Sequence, residues 1–253
     1  CNERVKLQSL IALAEERGAD FVATGHYARI ERDGHRCRLQ RAEDTRKDQS
    51  YFLYRLKPAW LPRLLFPVGG MQKPDVWARA ESLDLPPDEM KESQEICFVT
   101  QGDYRTFIET ETPEAKRPGR FVDTDGHELG RHDGIAFYTP GQRRGLGVAA
   151  GQRLYVQRVE PATNTVVLGT DESLLRSQCT ITDLNLFDES LRTGPRAADV
   201  KVRYATPASP ATLTPASNGT IAVRFTTPQR ALSPGQSAVF YDGDRVLGGG
   251  IIQ

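Results

Sequence analysis

The chain has 253 residues, 38% hydrophobic and 26% charged, with 33 Lys and Arg balanced by 33 Asp and Glu. That length can bury a core in two or three units, the composition is that of a globular protein, and no apolar run approaches the ~18 residues that a membrane span needs. The charged start Asn2-Glu3-Arg4 is unlike a signal peptide, and Cys1, Cys37, Cys97 and Cys179 show neither a secreted disulfide spacing nor a zinc-type CxxC pair. A soluble, cytoplasmic protein with no metal site is therefore expected.

The sequence opens without Met, inside what reads as an element, and we expect it to be the C-terminal part of a longer protein. Charge is unevenly placed: residues 1–58 carry 12 basic and 9 acidic side chains, 71–115 carry 4 and 11, and 116–158 carry 8 and 4. Of the 33 basic residues 26 are Arg, whose planar guanidinium suits bidentate phosphate contacts wherever several cluster. Solvated faces alone also explain an Arg excess.

In chain order, Val5, Leu7, Leu10, Ile11 and Ala14 predict a helix over 5–17, with Asn2 as N-cap and Gly18 as terminator. Phe21-Val22-Ala23 then reads as a strand of an α/β sheet. Ligands collect beyond the carboxyl ends of such strands, which places Gly25 and His26 where a substrate binds. Asp33-Gly34 predicts a hairpin turn between 27–32 and 36–40, with Cys37 inside the hairpin. Pro74, Val76, Trp77, Ala80 and Leu83 predict a short amphipathic helix stopped by Pro86-Pro87. A connection to the strand-like run Glu95–Val99 follows, then a helix capped by Asp103 that carries Phe107 and Ile108. From about residue 115 the pattern is β, and short runs such as 200–204, 220–225 and 237–241 between Pro and Gly turns predict a small closed barrel. In the run 200–204, Arg203 is expected to point outward while Val202 and Tyr204 pack.

Cys1 sits where helix N-terminal N–H groups lower a thiol pKa and so favour the nucleophilic thiolate; Cys97, between Ile96 and Phe98, lies in an apolar run. On spacing alone the packed thiol is the commoner reading of both, more so for Cys97, and Cys37 and Cys179 read as structural. Lys47-Asp48-Gln49-Ser50 can hold a polar ligand or form a solvated turn. Gly141-Gln142-Arg143-Arg144-Gly145-Leu146-Gly147 combines backbone freedom with two guanidinium groups, as a phosphate-backbone contact or a surface loop.

Taken together, Cys1-Asn2, Ala23–Tyr27, Lys47–Leu53, Ser93–Phe98, Tyr138–Gly147, Ser233–Gln236, Tyr241 and Leu247–Gly250 resemble, in family order along the whole chain, the bacterial tRNA-specific 2-thiouridylases, sulfurtransferases of the PP-loop ATP pyrophosphatase group. The resemblance implies an α/β plus all-β fold: the C-terminal half of a PP-loop domain (1–106), a central β-rich tRNA-binding domain (107–168) and a C-terminal β-barrel (169–253). It implies Cys1 as nucleophile, Cys97 as persulfide carrier, a Cys1–Cys97 disulfide during turnover and Gly25 as an ATP contact. His26, Lys47, Asp48, Gln49, Arg203, Tyr204 and Gln236 match tRNA-contacting positions, with Arg143 and Arg144 as further phosphate contacts. Arg144 stands where the family most often has Lys.

The implied partners are ATP with Mg2+, the anticodon stem-loop of tRNA, and a persulfide-donating carrier or cysteine desulfurase. The family's Ser-Gly-Gly-x-Asp-Ser pyrophosphate loop is not among these residues, so this chain alone is expected not to turn over. A non-catalytic RNA-binding module and another AMP-forming PP-loop enzyme are the alternatives weighed against this reading.

Overall fold

The computed structural model describes residues 2–34, 36–84, 99 and 104–253. Cys1, Cys97, the Pro86-Pro87 stop and the Asp103 cap lie outside the described residues. The chain divides into two compact units: Cys1–Met90 with Gln178–Thr227 and Pro234–Gln253, and Lys91–Ser177 with Pro228–Ser233.

The first unit opens with a π-helical turn, Asn2–Leu7, that runs into helix α1 (Gln8–Glu16). Leu7, Ile11 and Ala14 are buried as their spacing predicts, but Val5 and Leu10 are exposed. The wider π turn changes the angular step between residues and takes Val5 off the buried stripe. Asn2 belongs to that turn and does not cap α1. Gly18 does end the helix, with φ +64°, and the Ala19 amide donates to the Ala14 carbonyl at 2.8 Å.

Strand β1 (Val22–Ala23) is followed by the hairpin β2 (Arg29–Asp33) and β3 (Arg36–Gln40). Asp33 pairs with Arg36 and so belongs to the strand and not to the turn expected at Asp33-Gly34, and Gly34 follows it at φ +56°. Helix α2 (Ser50–Leu53) precedes β4 (Leu64–Leu65), which pairs in parallel with β1. Helix α3 (Lys73–Glu81) begins with Pro74 in its first turn. It ends well before Pro86, where Asp84 turns the chain at φ +52°.

The second unit holds helix α4 (Tyr104–Glu111) and the sheet β6-β5-β8-β7, made of β5 (Gly119–Val122), β6 (Glu128–His132), β7 (Tyr155–Glu160) and β8 (Thr165–Gly169). Its core gathers Phe121, Tyr138, Leu146, Val156, Val166 and Leu168. His132 is 3% exposed against Phe121 and Tyr138, and neither ring nitrogen makes a well-formed hydrogen bond. Burial lowers its pKa below 6.5, with the Asn164 carbonyl and Asp133 opposing. The folded ring therefore stays neutral where the unfolded one takes a proton, so its contribution is complete above pH 6.5 and is lost as pH falls from there toward the depressed folded value. Acid melting of the wild type should steepen below that pH, and His132→Phe should flatten this limb in a pH series of thermal melts.

The barrel returns to the first unit. It comprises β9 (Leu175–Leu186), β10 (Arg196–Lys201), β11 (Ser209–Pro215), β12 (Ile221–Arg230), β13 (Ser237–Asp242) and β14 (Arg245–Ile252). Their order is β13-β10-β11-β12-β9-β14, and a β13–β14 pairing closes the ring. The β2–β3 hairpin extends the same sheet through Arg245 opposite Gln40.

One core joins the α/β elements to the barrel: Leu7, Ile11, Leu39, Tyr51, Leu53 and Leu64 pack in the same cluster as Val239, Tyr241 and Val246. Its polar stitches are the Tyr51 hydroxyl donating to the Ser237 carbonyl at 3.0 Å, and the Asn185 side-chain amide donating to the carbonyls of Tyr54 at 2.6 Å and Leu56 at 2.9 Å. Arg55 pairs with Glu3 at 3.0 Å and Asp183 at 2.7 Å. The Gly248-Gly249-Gly250 run permits this contact: a Cβ on Gly249 would lie 2.4 Å from the Ala238 carbonyl oxygen and 2.8 Å from the Tyr54 ring.

Candidate nucleic-acid interface

The loop Arg41–Gln49 joins β3 to α2, and two carboxylates fold it. Asp48, 5% exposed, accepts from the amides of Ala42 and Ser50, both at 3.1 Å, and from the Ser50 hydroxyl at 2.9 Å. Asp44 is also buried and accepts from the Lys73 amide at 3.0 Å and the Arg46 amide at 3.1 Å. The Lys73 amide leads in holding this carboxyl below its ordinary pKa, against the effect of burial. Gln49 completes the frame: its side-chain oxygen accepts from the Tyr27 amide at 2.9 Å, and its own amide donates to the Tyr27 carbonyl at 2.8 Å. Asp44 and Asp48 turn inward, while Glu43 and Arg46 face water.

Two grooves flank this loop. One, of about 470 Å³, is lined by Arg41, Arg46, Asp48, Asp199, Lys201 and Tyr204 among others. The other, of about 660 Å³, is lined by Asp44, Arg46, Lys47, Lys73, Trp77 and Glu81 among others. Arg46 lines both. Arg41 lies 4.0 Å over the Tyr241 ring, and Lys73 sits 4.7 Å over Trp77. Burial lowers the Lys201 pKa, with Asp48 raising it and Arg41 lowering it further.

The structure brings Lys47, Asp48 and Tyr204 to these grooves and gives Gln49 a framing part. Strand β10 ends at Lys201, so Arg203 and Tyr204 lie in a turn, where the Arg203 carbonyl accepts from the Thr206 amide at 3.3 Å. The expected outward-pointing Arg203 on a strand with a packed Tyr204 is thereby corrected: Val202 is buried and Tyr204 is 41% exposed. Gln236 precedes β13, and its carbonyl accepts from the Ile252 amide at 2.8 Å.

Gly25 and His26 lie just beyond β1. Gly25 is exposed, and a Cβ there would meet nothing within 4 Å, so its backbone faces open space. His26 Nδ1 lies 2.8 Å from the Thr24 hydroxyl and Nε2 lies 3.4 Å from the Asn2 side-chain oxygen. An Nε2–H tautomer satisfies both contacts. Burial, then the charge of Lys6, lowers the His26 pKa and keeps the ring neutral at pH 7. The Asn2 contact ties the Gly25-His26 turn to the π-helical turn Asn2–Leu7.

In the second unit, Gln142 folds the Gly-rich loop: its side-chain oxygen accepts from the Thr139 amide at 3.1 Å and its side-chain amide donates to the Arg144 carbonyl at 3.0 Å. Gly141, Gly145 and Gly147 take positive φ, and Arg143 and Arg144 are exposed. Cys37 and Cys179 are free thiols, and burial pushes the Cys179 pKa up to about 11, which suits a structural residue. Sequence reasoning missed Arg41, Arg46, Lys73 and Lys201. The alternation of buried Val200 and Val202 around Lys201 was the one local signal for that lysine. No described helix is long and apolar enough to cross a membrane.

An α/β element, a small four-stranded β unit and a closed β-barrel, with Arg41, Arg46, Lys201 and Tyr204 on one groove, make up the described chain. Family models agree: a tRNA methyl transferase HUP domain matches residues 1–101, a tRNA methyl transferase PRC-barrel domain matches 105–170, and an aminomethyltransferase β-barrel domain matches 176–252. The chain is 44% identical to the tRNA-specific 2-thiouridylase MnmA of Acetivibrio thermocellus, over 100% of its own length and 71% of that relative. It is 47% identical to the enzyme of the same name from Chloroflexus aggregans, over 100% and 70%. The chain belongs to the tRNA-specific 2-thiouridylase family.

Proposed function

We propose that this chain carries the RNA-gripping and sulfur-bearing part of a tRNA 2-thiouridylase that replaces the C2 oxygen of the wobble uridine with sulfur. The observation that carries the reading is the groove of Arg41, Arg46, Lys201 and Tyr204, joined to the Gly25-His26 turn through one core. Backbone-tracking cations beside aromatic faces suit single-stranded RNA, and a base must leave its stack to be modified.

A uridine carbonyl oxygen is a poor leaving group; ATP, when bound, would supply the adenylyl group that makes it one, with pyrophosphate released. Gly25 offers open backbone to that nucleotide. A carrier or desulfurase passes sulfane sulfur to the Cys97 thiolate. The Cys1 thiolate then attacks the inner sulfur, the Cys1–Cys97 disulfide forms, and hydrosulfide leaves. Hydrosulfide adds at C2 and AMP departs with the original oxygen. A thiol reductant then restores both cysteines.

His26, Lys47, Asp48, Gln49, Arg203, Tyr204 and Gln236 are assigned to tRNA, directly or by framing the loop, with Arg143 and Arg144 on phosphates of the same stem-loop. Arg203→Ala should weaken tRNA binding and lower the slope of log affinity against log salt by roughly one counterion's worth. An unchanged slope removes Arg203 from the contact surface.

A further inference from the structure

Helix α2 buries Ser50, Tyr51 and Leu53 but leaves Phe52 45% exposed. Its ring centroid lies 4.5 Å from that of Tyr204 with the planes inclined by 35°, and Tyr204 is itself 41% exposed. Tyr51 braces the pair from beneath, 5.4 Å from Phe52 and nearly perpendicular to it at 82°. It is anchored by its bond to the Ser237 carbonyl. Lys201 lies 5.3 Å from the Tyr204 centroid and 5.9 Å from that of Tyr51.

Two rings from distant segments thus meet at the surface beside a groove that holds Arg41, Arg46 and Lys201. Folding does not require Phe at an exposed position. An open aromatic face next to cations has the chemistry that receives a nucleobase with its phosphate, since every base has a π face and base–aromatic stacking needs no hydrogen-bond code.

We propose that Phe52, with Tyr204, forms a stacking platform for an unpaired base of the bound RNA, with Lys201 placed for the adjoining phosphate. This rests on the tRNA-binding reading above and adds Phe52 and Lys201 to it.

The test measures tRNA affinity of the full-length enzyme at several salt concentrations for the wild type and for Phe52→Ala, Phe52→Leu, Phe52→Trp and Lys201→Ala, with thermal melts alongside. Stacking predicts a loss of roughly 5- to 150-fold for the Ala and Leu variants, retention for Trp, and an unchanged salt slope in all three. Lys201→Ala should flatten the slope. The Leu variant keeps apolar bulk, so it guards against a loss caused by misfolding.

Wild-type affinity in the Ala variant overturns the platform, and so does full rescue by Leu, which would mark an apolar contact with a protein partner. Those outcomes leave the tRNA reading standing. A wild-type enzyme that binds no tRNA removes both.

Discussion

Cys97→Ser in the full-length enzyme is expected to abolish 2-thiouridine formation while tRNA affinity stays within about twofold of wild type. The physical reason is that sulfane sulfur needs a thiolate to carry it, and a serine hydroxyl forms no persulfide at neutral pH. The affinity is expected to be retained because the groove is lined by Arg41, Arg46, Lys201 and Tyr204, and its 41–49 loop is fixed by Asp44, Asp48 and Gln49 through backbone hydrogen bonds. Mass spectrometry of the tRNA nucleosides and a filter-binding titration separate the two. Retained thiolation from a physiological sulfur donor would remove Cys97 from the pathway; lost binding would give it a structural role instead.

Gly249→Ala is expected to destabilise the first unit by about 3 kcal/mol or more, the upper end of what overpacking a core costs. The new methyl would press on the Ala238 carbonyl oxygen and the Tyr54 ring, and β13 and β14 cannot separate without opening the barrel at its closing pair. Tyr54 also holds the barrel through its hydroxyl, 3.0 Å from the Ser237 side-chain oxygen, and through its carbonyl, which accepts from Asn185. Denaturant melts should show the loss. Gly219→Ala, at a turn where a Cβ meets nothing within 4 Å, should cost only the strain of its φ of +78°. Equal losses in the two variants would mean that Gly249 is not a contact point.

How much of this was legible in the sequence depends on whether the information is local. The helix over residues 8–16, the strand at 22–23, the hairpin and the short β runs followed from apolar period and turn residues, because those signals act within a few positions. The hairpin turn was misplaced at Asp33 because the Asp-Gly pair reads as a turn wherever it stands, whereas Asp33 pairs with Arg36 as a strand residue. Val5 failed because a π turn breaks the helical count. The alternating reading of 200–204 failed because β10 stops at Lys201, and this freed Tyr204 to face water.

The groove itself was not legible. Its sides come from residues 41–48 and 199–208, which closure of the barrel onto the β2–β3 hairpin side of the α/β elements brings together. Likewise Asp48 and Gln49 stand in a motif that reads as ligand-facing, yet both accept backbone hydrogen bonds that set the loop. The glycines at 248–250 read only as a family match, whereas their use is close approach of neighbouring backbone and Tyr54.

The most direct measurement of the central claim is a single-turnover chase. The full-length enzyme is loaded with radiolabelled sulfane sulfur, the Cys97 peptide is checked for one added sulfur atom, and ATP and tRNA are then supplied without further donor. The account predicts that label leaves Cys97 and appears in 2-thiouridine at the same rate. Label that stays on Cys97 while unlabelled sulfur enters the tRNA, or that never reaches Cys97, would contradict it.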